Sequence, residues 1–242
     1  MTAVEEMMGV IVAKRQLAFR SQSLLVGLSG IDGSGKGYLA RQVSAGLRSR
    51  GFSVASLGVD DWAAAAEQRF DPNRPGEHFY EHGFRFEEMF RDLILPLKTR
   101  RSRRFQAMRS NGSQRALSPH VFEFHNVDII LLEGIFLLKR GYREHFDLTI
   151  WVDCSFETAM RRAVQRAQEG LPPDETARAY ETIFFPAQNV HFARDRPREM
   201  ADLVINNDED FAAGGLQSEI LSTRKVRDCS AVQRAGSPLP GR

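Results

Sequence analysis

Residues 24–38 read LLVGLSGIDGSGKGY, an apolar run that leads directly into a glycine-rich turn. From Gly30 onward the turn follows the pattern G-x-x-x-x-G-K-[ST] of phosphate-binding loops, except that Gly37 stands where the pattern has a hydroxyl side chain. A turn of this kind between a strand and a helix exposes several backbone N–H groups, and the helix N-terminus adds its positive end. The stretch therefore predicts a buried strand, a phosphate-binding loop and a helix in succession.

The loop supplies the candidate contacts to a nucleotide, and ATP is the expected ligand. Lys36 would place its charge on the β- and γ-phosphates. The other candidate ATP-binding residues are loop positions and the first positions of the helix: Gly30, Asp32, Gly33, Ser34, Gly35, Gly37 and Tyr38. The alternative interpretation is an ordinary strand-to-helix turn with an exposed lysine.

Further apolar runs lie at 52–59, 127–134, 148–153 and 201–207, and helical patterns separate most of them. Strands that are apolar throughout and alternate with helices are typical of a parallel sheet covered on both faces. We therefore predict a three-layer α/β/α fold around a mostly parallel five-stranded sheet.

The chain between the second and third of these strands is less regular. The turn residues DPNRPG at 71–76 lead us to expect irregular structure over 62–83, followed by a helix that ends near Pro96. Residues 99–120 are basic and contain Asn111–Gly112, a dipeptide that favours a two-residue hairpin turn. We predict a small β-hairpin insertion there.

Carboxylate side chains follow three of the predicted strands. Ligands of parallel sheets bind at the carboxyl ends of the strands, and these ends carry Asp60 with Asp61, Glu133 and Asp153. Magnesium is a hard octahedral ion that carboxylates, phosphate oxygens and water hold. Asp60 and Glu133 are therefore candidate metal ligands that compensate for the missing hydroxyl, and Asp61 is an alternative ligand or base. Carboxylates that simply end a strand are the competing interpretation.

Composition excludes several classes of protein. The 33 Lys and Arg residues against 31 Asp and Glu residues give a net charge of +2, so the balance does not call for a nucleic-acid partner. Two cysteines, an acidic N-terminal segment and the lack of any apolar stretch near ~18 residues argue against secretion and against a membrane span. We expect a cytoplasmic protein without a membrane or nucleic-acid partner, with homo-oligomer formation left open.

Five segments of the chain are similar, in sequence and in order, to one branch of nucleotide-dependent kinases: GLSGIDGSGKGYLA, LGVDDW, VDIILLEGIFLL, IWVDCSFETAMRRAVQR and DRPREMADLVINND. Over about residues 22–208 the chain resembles the uridine kinase-like family of P-loop kinases, a branch that includes phosphoribulokinase and one type of pantothenate kinase. The resemblance implies a P-loop kinase domain at 22–221, with the insertion at about 99–120 and a lid at about 155–175. Apolar residues at helical spacing predict an N-terminal helix at 1–21, and low apolar content predicts a disordered tail at 222–242.

The resemblance also implies an activity, which is ATP-dependent, Mg²⁺-dependent transfer of the γ-phosphoryl group to a hydroxyl of a nucleoside-like or other small alcohol acceptor. In such kinases an aspartate just after the second strand takes the proton from the acceptor, and Asp60 has that place. Phosphoryl transfer gains from such a carboxylate and from guanidinium groups that neutralise developing charge. Arg162 and Arg166 lie four residues apart on one face of the implied lid helix. With Lys36 and Asp60 they are the candidate catalytic residues, and a solvated basic face is the alternative.

The acceptor site is marked less clearly. The candidate acceptor-binding residues lie in regions that match the family: Asp61, Tyr80, Phe84, Arg85, Phe105 and Glu133. The Tyr-Asp pair of the family's hairpin is absent, so the resemblance does not imply uridine itself. The basic cluster at 100–104 suits an acceptor that carries phosphate or carboxylate, or else is an exposed charged loop. Pantothenate or phosphorylated-sugar kinases of the same branch, and a non-catalytic nucleotide-binding protein, are the alternative functions.

Overall fold

A mostly parallel sheet forms the centre of the computed structural model, which describes residues 2–110, 117–166, 171–208 and 218–219. In chain order the strands are β1 (Leu24–Gly30), β2 (Val54–Gly58), β3 (Arg103–Ser110), β4 (Leu117–Phe124), β5 (Ile129–Gly134), β6 (Leu148–Asp153), β7 (Leu203–Asn206) and β8 (Ser218–Glu219). The sheet order is β2–β5–β1–β6–β7–β8, and all neighbours are parallel except β7 and the two-residue β8. The antiparallel pair β3–β4 is separate. The predicted α/β fold with five parallel strands and a hairpin is confirmed, and β8 extends the sheet by one short strand.

Helices cover both faces of this sheet. In chain order they are α1 (Ala3–Leu17), α2 (Lys36–Ser49), α3 (Ala66–Arg69), α4 (Pro75–His82), α5 (Phe86–Met89), α6 (Leu95–Arg100), α7 (Phe156–Arg166), α8 (Pro173–Ala179), α9 (Phe185–Asp195) and α10 (Pro197–Met200). Alternate residues of β1 divide between the faces, because Leu24 and Val26 pack with α1 and α2 whereas Leu25 packs with α4, α5 and α6. Every residue of β1 is buried, so this strand lies at the middle of the core. No helix within the described ranges has the length and apolar character needed to cross a bilayer.

The N-terminal helix α1 has a reciprocal cap and packs on the sheet. The amide of Thr2 donates to Oε2 of Glu5 (2.8 Å), and the amide of Glu5 donates to the hydroxyl of Thr2 (3.2 Å). This capping box satisfies two N–H groups that the helix leaves unpaired. Met7 and Ile11 are fully buried in the same cluster as residues of α2 and β1. The helix therefore shares the core of the sheet.

The expectation of irregular structure over 62–83 is wrong, because this segment contains α4. The helix begins at Pro75, whose fixed φ and missing N–H suit the first turn of a helix. Pro75, which we assigned to a turn, is therefore the first residue of a helix.

The next helix does not end near Pro96 as predicted. It continues to Arg100 through a wider π-helical turn at Phe90–Ile94. A second π-helical turn at Tyr180–Phe184 likewise stands two residues before Pro186. Proline lacks an N–H group and its ring clashes with the carbonyl group four residues earlier in a regular helix. The wider turns accommodate both prolines without breaking the helices.

The hairpin lies a few residues later than predicted. β3 and β4 pair along their whole length, so the insertion covers 103–124 rather than 99–120. Outside the described residues lie the predicted turn at Asn111–Gly112, residues 167–170 of the predicted lid and the predicted tail at 222–242.

Candidate active site

The carboxyl ends of the central strands meet at one edge of the sheet. The parallel register places Ser29 of β1 beside Gly134 of β5, and Gly58 of β2 beside Glu133 of β5. The glycine-rich loop after β1, the Glu133 carboxylate and the short 3-10 turn Val59–Trp62 after β2 therefore share this edge. It is the position at which open parallel sheets bind their ligands.

Backbone conformation and close packing explain two glycines of the loop. Gly33 and Gly35 have φ values of +78° and +87°, in the left-handed region that favours glycine. A Cβ on Gly33 would lie 2.5 Å from the carbonyl oxygen of Ala159, and one on Gly35 would lie 2.5 Å from Nδ2 of Asn207. The shape of the loop therefore depends on both glycines, since a side chain at either would displace α7 or the segment after β7.

Lys36 occupies the first position of α2 and folds back over the loop. Its Nζ donates a hydrogen bond to the carbonyl oxygen of Ile31 (3.3 Å) and lies 3.8 Å from Oδ1 of Asp32. The side chain is only 12% exposed, so the ammonium group is held at the loop. Together with the helix N-terminus it creates a positive potential where a polyphosphate would lie.

A carboxylate stands beside the position where the loop lacks a hydroxyl. Gly37 has helical backbone, and a Cβ there would lie 3.8 Å from each carboxylate oxygen of Glu133. A Cβ on Gly58 would lie 3.2 Å from Oε1 of the same side chain, which places the carboxylate between β2 and α2. The Ser34 hydroxyl, by contrast, is fully buried on the Gly30 side of the loop, 2.7 Å from where a Cβ on that glycine would lie. The Glu133 carboxylate therefore lies beside position 37, whereas the Ser34 hydroxyl lies on the Gly30 side of the loop.

Burial and neighbouring charges raise the pKa values of both candidate metal ligands. For Glu133 the largest cause is burial; Lys36 opposes it, and the charges of Asp60 and Asp32 add to it. For Asp60, too, the largest cause of the raised pKa is crowding by protein atoms. The charge of Lys36 lowers this pKa, and the charges of Asp32 and Asp61 raise it further. Solvent still reaches Asp60, so the protein surrounds this carboxylate without covering it. These side chains form one electrostatically coupled cluster.

The cluster suits magnesium together with a bound polyphosphate. Within the residues that the structure describes, no group of three or more His, Cys, Asp or Glu side chains is arranged to hold a metal ion by itself. Mg²⁺ needs only one or two carboxylates when phosphate oxygens and water complete its octahedron. A cation beside Asp60 and Glu133 would also favour their charged forms, which their raised pKa values disfavour. The donor set therefore fits Mg²⁺ with ATP.

The structure brings one of the two predicted lid arginines to the loop. Arg162 donates from Nη1 to the carbonyl oxygen of Ser34 (3.4 Å) and from Nη2 to that of Asn207 (2.9 Å). Arg166 is exposed at the C-terminal end of α7, one turn further along. Arg162 is therefore the arginine with a short path to a phosphoryl group on the loop.

Asn207 is a site residue that the sequence analysis does not identify. Its Nδ2 donates to the carbonyl oxygen of Ser34 (2.7 Å), the same oxygen that Arg162 contacts. Its backbone amide donates to the carbonyl oxygen of Asp153 (2.9 Å). Asn207 thus connects the ends of β6 and β7 to the loop, and its partner Ser34 lies 173 positions away in the sequence.

Three of the predicted acceptor residues lie around the turn that carries Asp60. Asp61 follows it directly in this turn. The guanidinium group of Arg85 lies over the ring of Trp62 at 5.2 Å from the ring centroid. The ring of Phe105, on β3, stacks on the same tryptophan with centroids 6.5 Å apart. The structure therefore brings Asp61, Arg85 and Phe105 together.

Tyr80 lies elsewhere. It is buried, and its hydroxyl donates to Oδ2 of Asp195 at 2.5 Å. The same carboxylate oxygen is bonded to Nδ1 of His191 (2.7 Å), and Nζ of Lys139 lies 4.0 Å from the centroid of the tyrosine ring. Burial, and then the bond to Asp195, raise the pKa of Tyr80. Tyr80 therefore serves a buried polar network between α4 and α9, and its hydroxyl is already occupied there.

Phe84 and Arg85 line an open groove of about 610 Å³ together with the ring of Phe70 and three acidic residues, Glu67, Asp71 and Glu81. Small-molecule sites commonly have volumes of about 300–1,000 Å³. The amide of Arg85 donates to the carbonyl oxygen of Trp62 (2.9 Å), so this wall is attached to the turn that carries Asp60. The groove is the candidate position for an acceptor.

Two arginines of the basic cluster at 100–104 form hydrogen bonds with residues outside the turn that carries Asp60. Arg101 donates from Nη2 to Oδ1 of Asp128 (2.6 Å), and Arg103 donates from Nε to the carbonyl oxygen of Asp92 (3.1 Å). Arg104 is exposed on the outer face of the hairpin. Two of these arginines therefore fasten the base of the hairpin, and the proposed contact of the cluster with an anionic acceptor has no support.

Comparison with known proteins gives structural neighbours only. No protein-family model matches the chain, and no curated protein sequence matches it. The fold is similar to a possible uridine kinase from Bacillus stearothermophilus, with a TM-score of 0.66 and 21% identity over 83% of this chain and 96% of that one. It is also similar to D-glycerate 3-kinase from Cryptococcus neoformans var. grubii, with a TM-score of 0.63 and 10% identity over 91% of this chain and 99% of that one. The chain has the α/β fold of the uridine kinase-like P-loop kinases.

Proposed function

We propose that this chain is an ATP-dependent kinase that transfers the γ-phosphoryl group to a hydroxyl of a small-molecule acceptor. One observation carries the proposal: the loop with Lys36, the turn with Asp60 and the Glu133 carboxylate share one edge of the sheet and one electrostatic cluster. The fold shared with a possible uridine kinase and with D-glycerate 3-kinase supports the same conclusion.

The nucleotide end of the site holds the triphosphate. Loop amides and Lys36 bind the β- and γ-phosphates, and Asp60 with Glu133 are the residues that would hold Mg²⁺. When bound, the metal neutralises charge on the phosphate oxygens. Arg162, which already contacts the Ser34 carbonyl oxygen, moves a short distance to place its guanidinium group on the transferring phosphoryl group.

Asp60 takes the proton from the acceptor hydroxyl. It lies directly after β2, in the turn against which the hairpin packs, and solvent reaches it. A carboxylate positioned in this way accepts the proton as the hydroxyl attacks the phosphorus. The acceptor lies beside this turn, between β3 and the groove lined by Phe70, Phe84 and Arg85.

The test is ADP release from Mg²⁺ and ATP with a panel of hydroxyl-bearing metabolites, for the wild type and Asp60→Asn. The variant should lose at least about 100-fold in kcat, the usual weight of general-base catalysis, while ATP binding persists. Asp61→Asn is the matched comparison, because its carboxylate binds Arg109 (2.8 Å) and its loss should change the acceptor KM more than kcat. Near-normal turnover by Asp60→Asn would remove the base assignment.

Gly37 favours a second candidate function, which is a nucleotide-binding protein without turnover. A loop that lacks its usual metal ligand binds phosphate through amides and Lys36 but holds the metal less firmly. Tight ATP binding with no ADP release across the whole panel would support this alternative and contradict the kinase.

A further inference from the structure

The hairpin presents two different faces, and one of them faces the catalytic turn. Along β3 the even-numbered residues Arg104, Gln106 and Met108 are exposed, whereas the odd-numbered residues are partly or fully buried. Phe105 belongs to the inner set and stacks on Trp62, two residues after Asp60 in the chain. Because side chains of a strand alternate between faces, the odd-numbered residues of β3 lie on the side of the turn.

Arg109 is the last odd-numbered residue of β3, so it shares this inner face. Its Nε donates to Oδ1 of Asp61 at 2.8 Å, next to the proposed base. This bond uses one edge of the guanidinium group. Nη1 and Nη2 have no hydrogen-bond partner anywhere in the described part of the chain, and the side chain is 42% exposed.

Arg85, which also lies at the turn, is occupied. Nη1 of Arg85 contacts both carboxylate oxygens of Glu88 (3.1 and 2.9 Å), and its Nη2 donates to the carbonyl oxygen of Met108. Arg109 therefore differs from Arg85 in having both of its terminal amino groups available.

We propose that the two terminal amino groups of Arg109 bind a carboxylate or phosphate group of the acceptor, so that the acceptor is an anionic hydroxyl compound. The inference rests on the proposed function, since Asp60 fixes where the acceptor hydroxyl lies. A guanidinium group binds planar anions with two parallel hydrogen bonds. The ion pair with Asp61 holds the side chain in place beforehand, which lowers the entropy cost of binding.

The first experiment compares acceptors in neutral and anionic pairs: glycerol with glycerate, and fructose with fructose 6-phosphate. Wild-type protein should release ADP only with anionic members, and the effective pair tells carboxylate from phosphate. Arg109→Gln should raise the KM of that acceptor about 10- to 100-fold, as expected for a lost charge-assisted pair of hydrogen bonds, with a smaller change in kcat. Arg109→Lys keeps the positive charge but not the planar guanidinium group. Its KM for the acceptor should therefore lie between those of the wild type and Arg109→Gln.

Arg104→Gln is the matched control. Arg104 lies on the outer face of the same strand, five residues earlier, and its nearest acidic partner is Glu123 at 4.0 Å. This variant removes one arginine from the hairpin without touching the turn. Its KM should equal that of the wild type.

The second experiment does not depend on turnover. With the loop saturated by Mg²⁺ and a non-hydrolysable ATP analogue, inorganic phosphate or acetate at ten times its Kd should raise Tm by about 3–6 °C in the wild type and in Arg104→Gln. The rise should be absent in Arg109→Gln.

The two experiments separate this inference from the proposed function. ADP release with neutral acceptors alone, or an unchanged KM in Arg109→Gln, overturns the anionic acceptor while leaving the kinase intact. If neither anion changes the Tm of the wild type while the loop is saturated with Mg²⁺ and the ATP analogue, the anionic acceptor is overturned as well. If no acceptor gives ADP release but the anions still raise the Tm of the wild type, the kinase is contradicted and the anion site at Arg109 is supported.

Discussion

Introducing the missing hydroxyl with Gly37→Ser tests whether Glu133 has taken its place. A Cβ at position 37 would lie 3.8 Å from both oxygens of Glu133, which is ordinary van der Waals contact, and the backbone there is already helical. Serine therefore fits without displacing its neighbours. Its hydroxyl would stand beside the carboxylate that we expect to hold Mg²⁺.

Gly37→Ser should change both the Mg²⁺ concentration for half-saturation and the Tm. A contact between a hydroxyl and a charged partner contributes about 1.5 kcal/mol, and this corresponds to about a tenfold lower Mg²⁺ concentration for half-saturation. Serine also gains up to about 0.5 kcal/mol over glycine in a helix. For a chain of this length that gain raises Tm by about 1–2 °C.

Gly37→Ala separates the two contributions. Alanine gains up to about 1 kcal/mol in the helix and raises Tm by about 2–4 °C, but it offers no oxygen to a metal. Mg²⁺ titrations by calorimetry, at a fixed concentration of a non-hydrolysable ATP analogue, measure half-saturation for wild type, Gly37→Ser and Gly37→Ala. Only the serine variant should bind Mg²⁺ more tightly.

Glu133→Gln completes the experiment as a double-mutant cycle. The single variant should weaken Mg²⁺ binding at least about tenfold, as loss of a metal-binding group usually does. Adding Gly37→Ser to it should recover part of the loss, because neighbouring groups that serve one ion are not additive. Identical half-saturation in wild type, Gly37→Ser and Glu133→Gln would refute the reasoning.

Three further predictions concern the loop, the base and the buried network. Asn207→Asp should weaken ATP binding about tenfold, because it sets a carboxylate oxygen against the carbonyl oxygen of Ser34 and loses a bond to it; equal calorimetric affinity would contradict this. In the protein without Mg²⁺ or nucleotide, Asp60 should titrate above the usual carboxyl value of 3.8, because crowding by protein atoms raises its pKa; an NMR titration at or below that value would contradict this. The free energy of unfolding should fall as pH drops below 6.5, because burial lowers the pKa of His191 and the unfolded chain binds the proton more readily. His191→Gln should flatten that part of the denaturation profile, and an unchanged slope would contradict it.

The parts of the fold that depend on local sequence were predicted. The five parallel strands are short apolar runs with polar residues at their carboxyl ends, and the loop follows the first of them. The spacing of apolar residues and the local composition are enough to identify such strands within a window of a few residues. The same local rules mislead at prolines, since Pro75 starts a helix and Pro96 is accommodated by a π-helical turn.

The parts of the site that depend on distant residues were not predicted. Asn207 binds Ser34 from 173 positions away, and Arg109 binds Asp61 from 48 positions away. From the sequence, the denser charge at 100–104 was a candidate for an anionic acceptor, with an exposed charged loop as the alternative. Strand alternation turns every second residue of a hairpin away from the core.

Tyr80 shows the opposite error, a residue assigned to the site that the fold uses elsewhere. Its position in the sequence suggested acceptor contact, but its hydroxyl binds Asp195, 115 positions away. A buried hydroxyl must find a partner, and only the tertiary structure reveals which one.

The measurement that tests the central claim most directly is calorimetric titration of Mg²⁺ and a non-hydrolysable ATP analogue into the wild type and into Lys36→Glu. We predict saturable one-to-one binding by the wild type and its loss on charge reversal, because loop amides and one lysine hold the phosphates without help from position 37. Absence of heat at millimolar nucleotide, or equal affinity in both proteins, would contradict it.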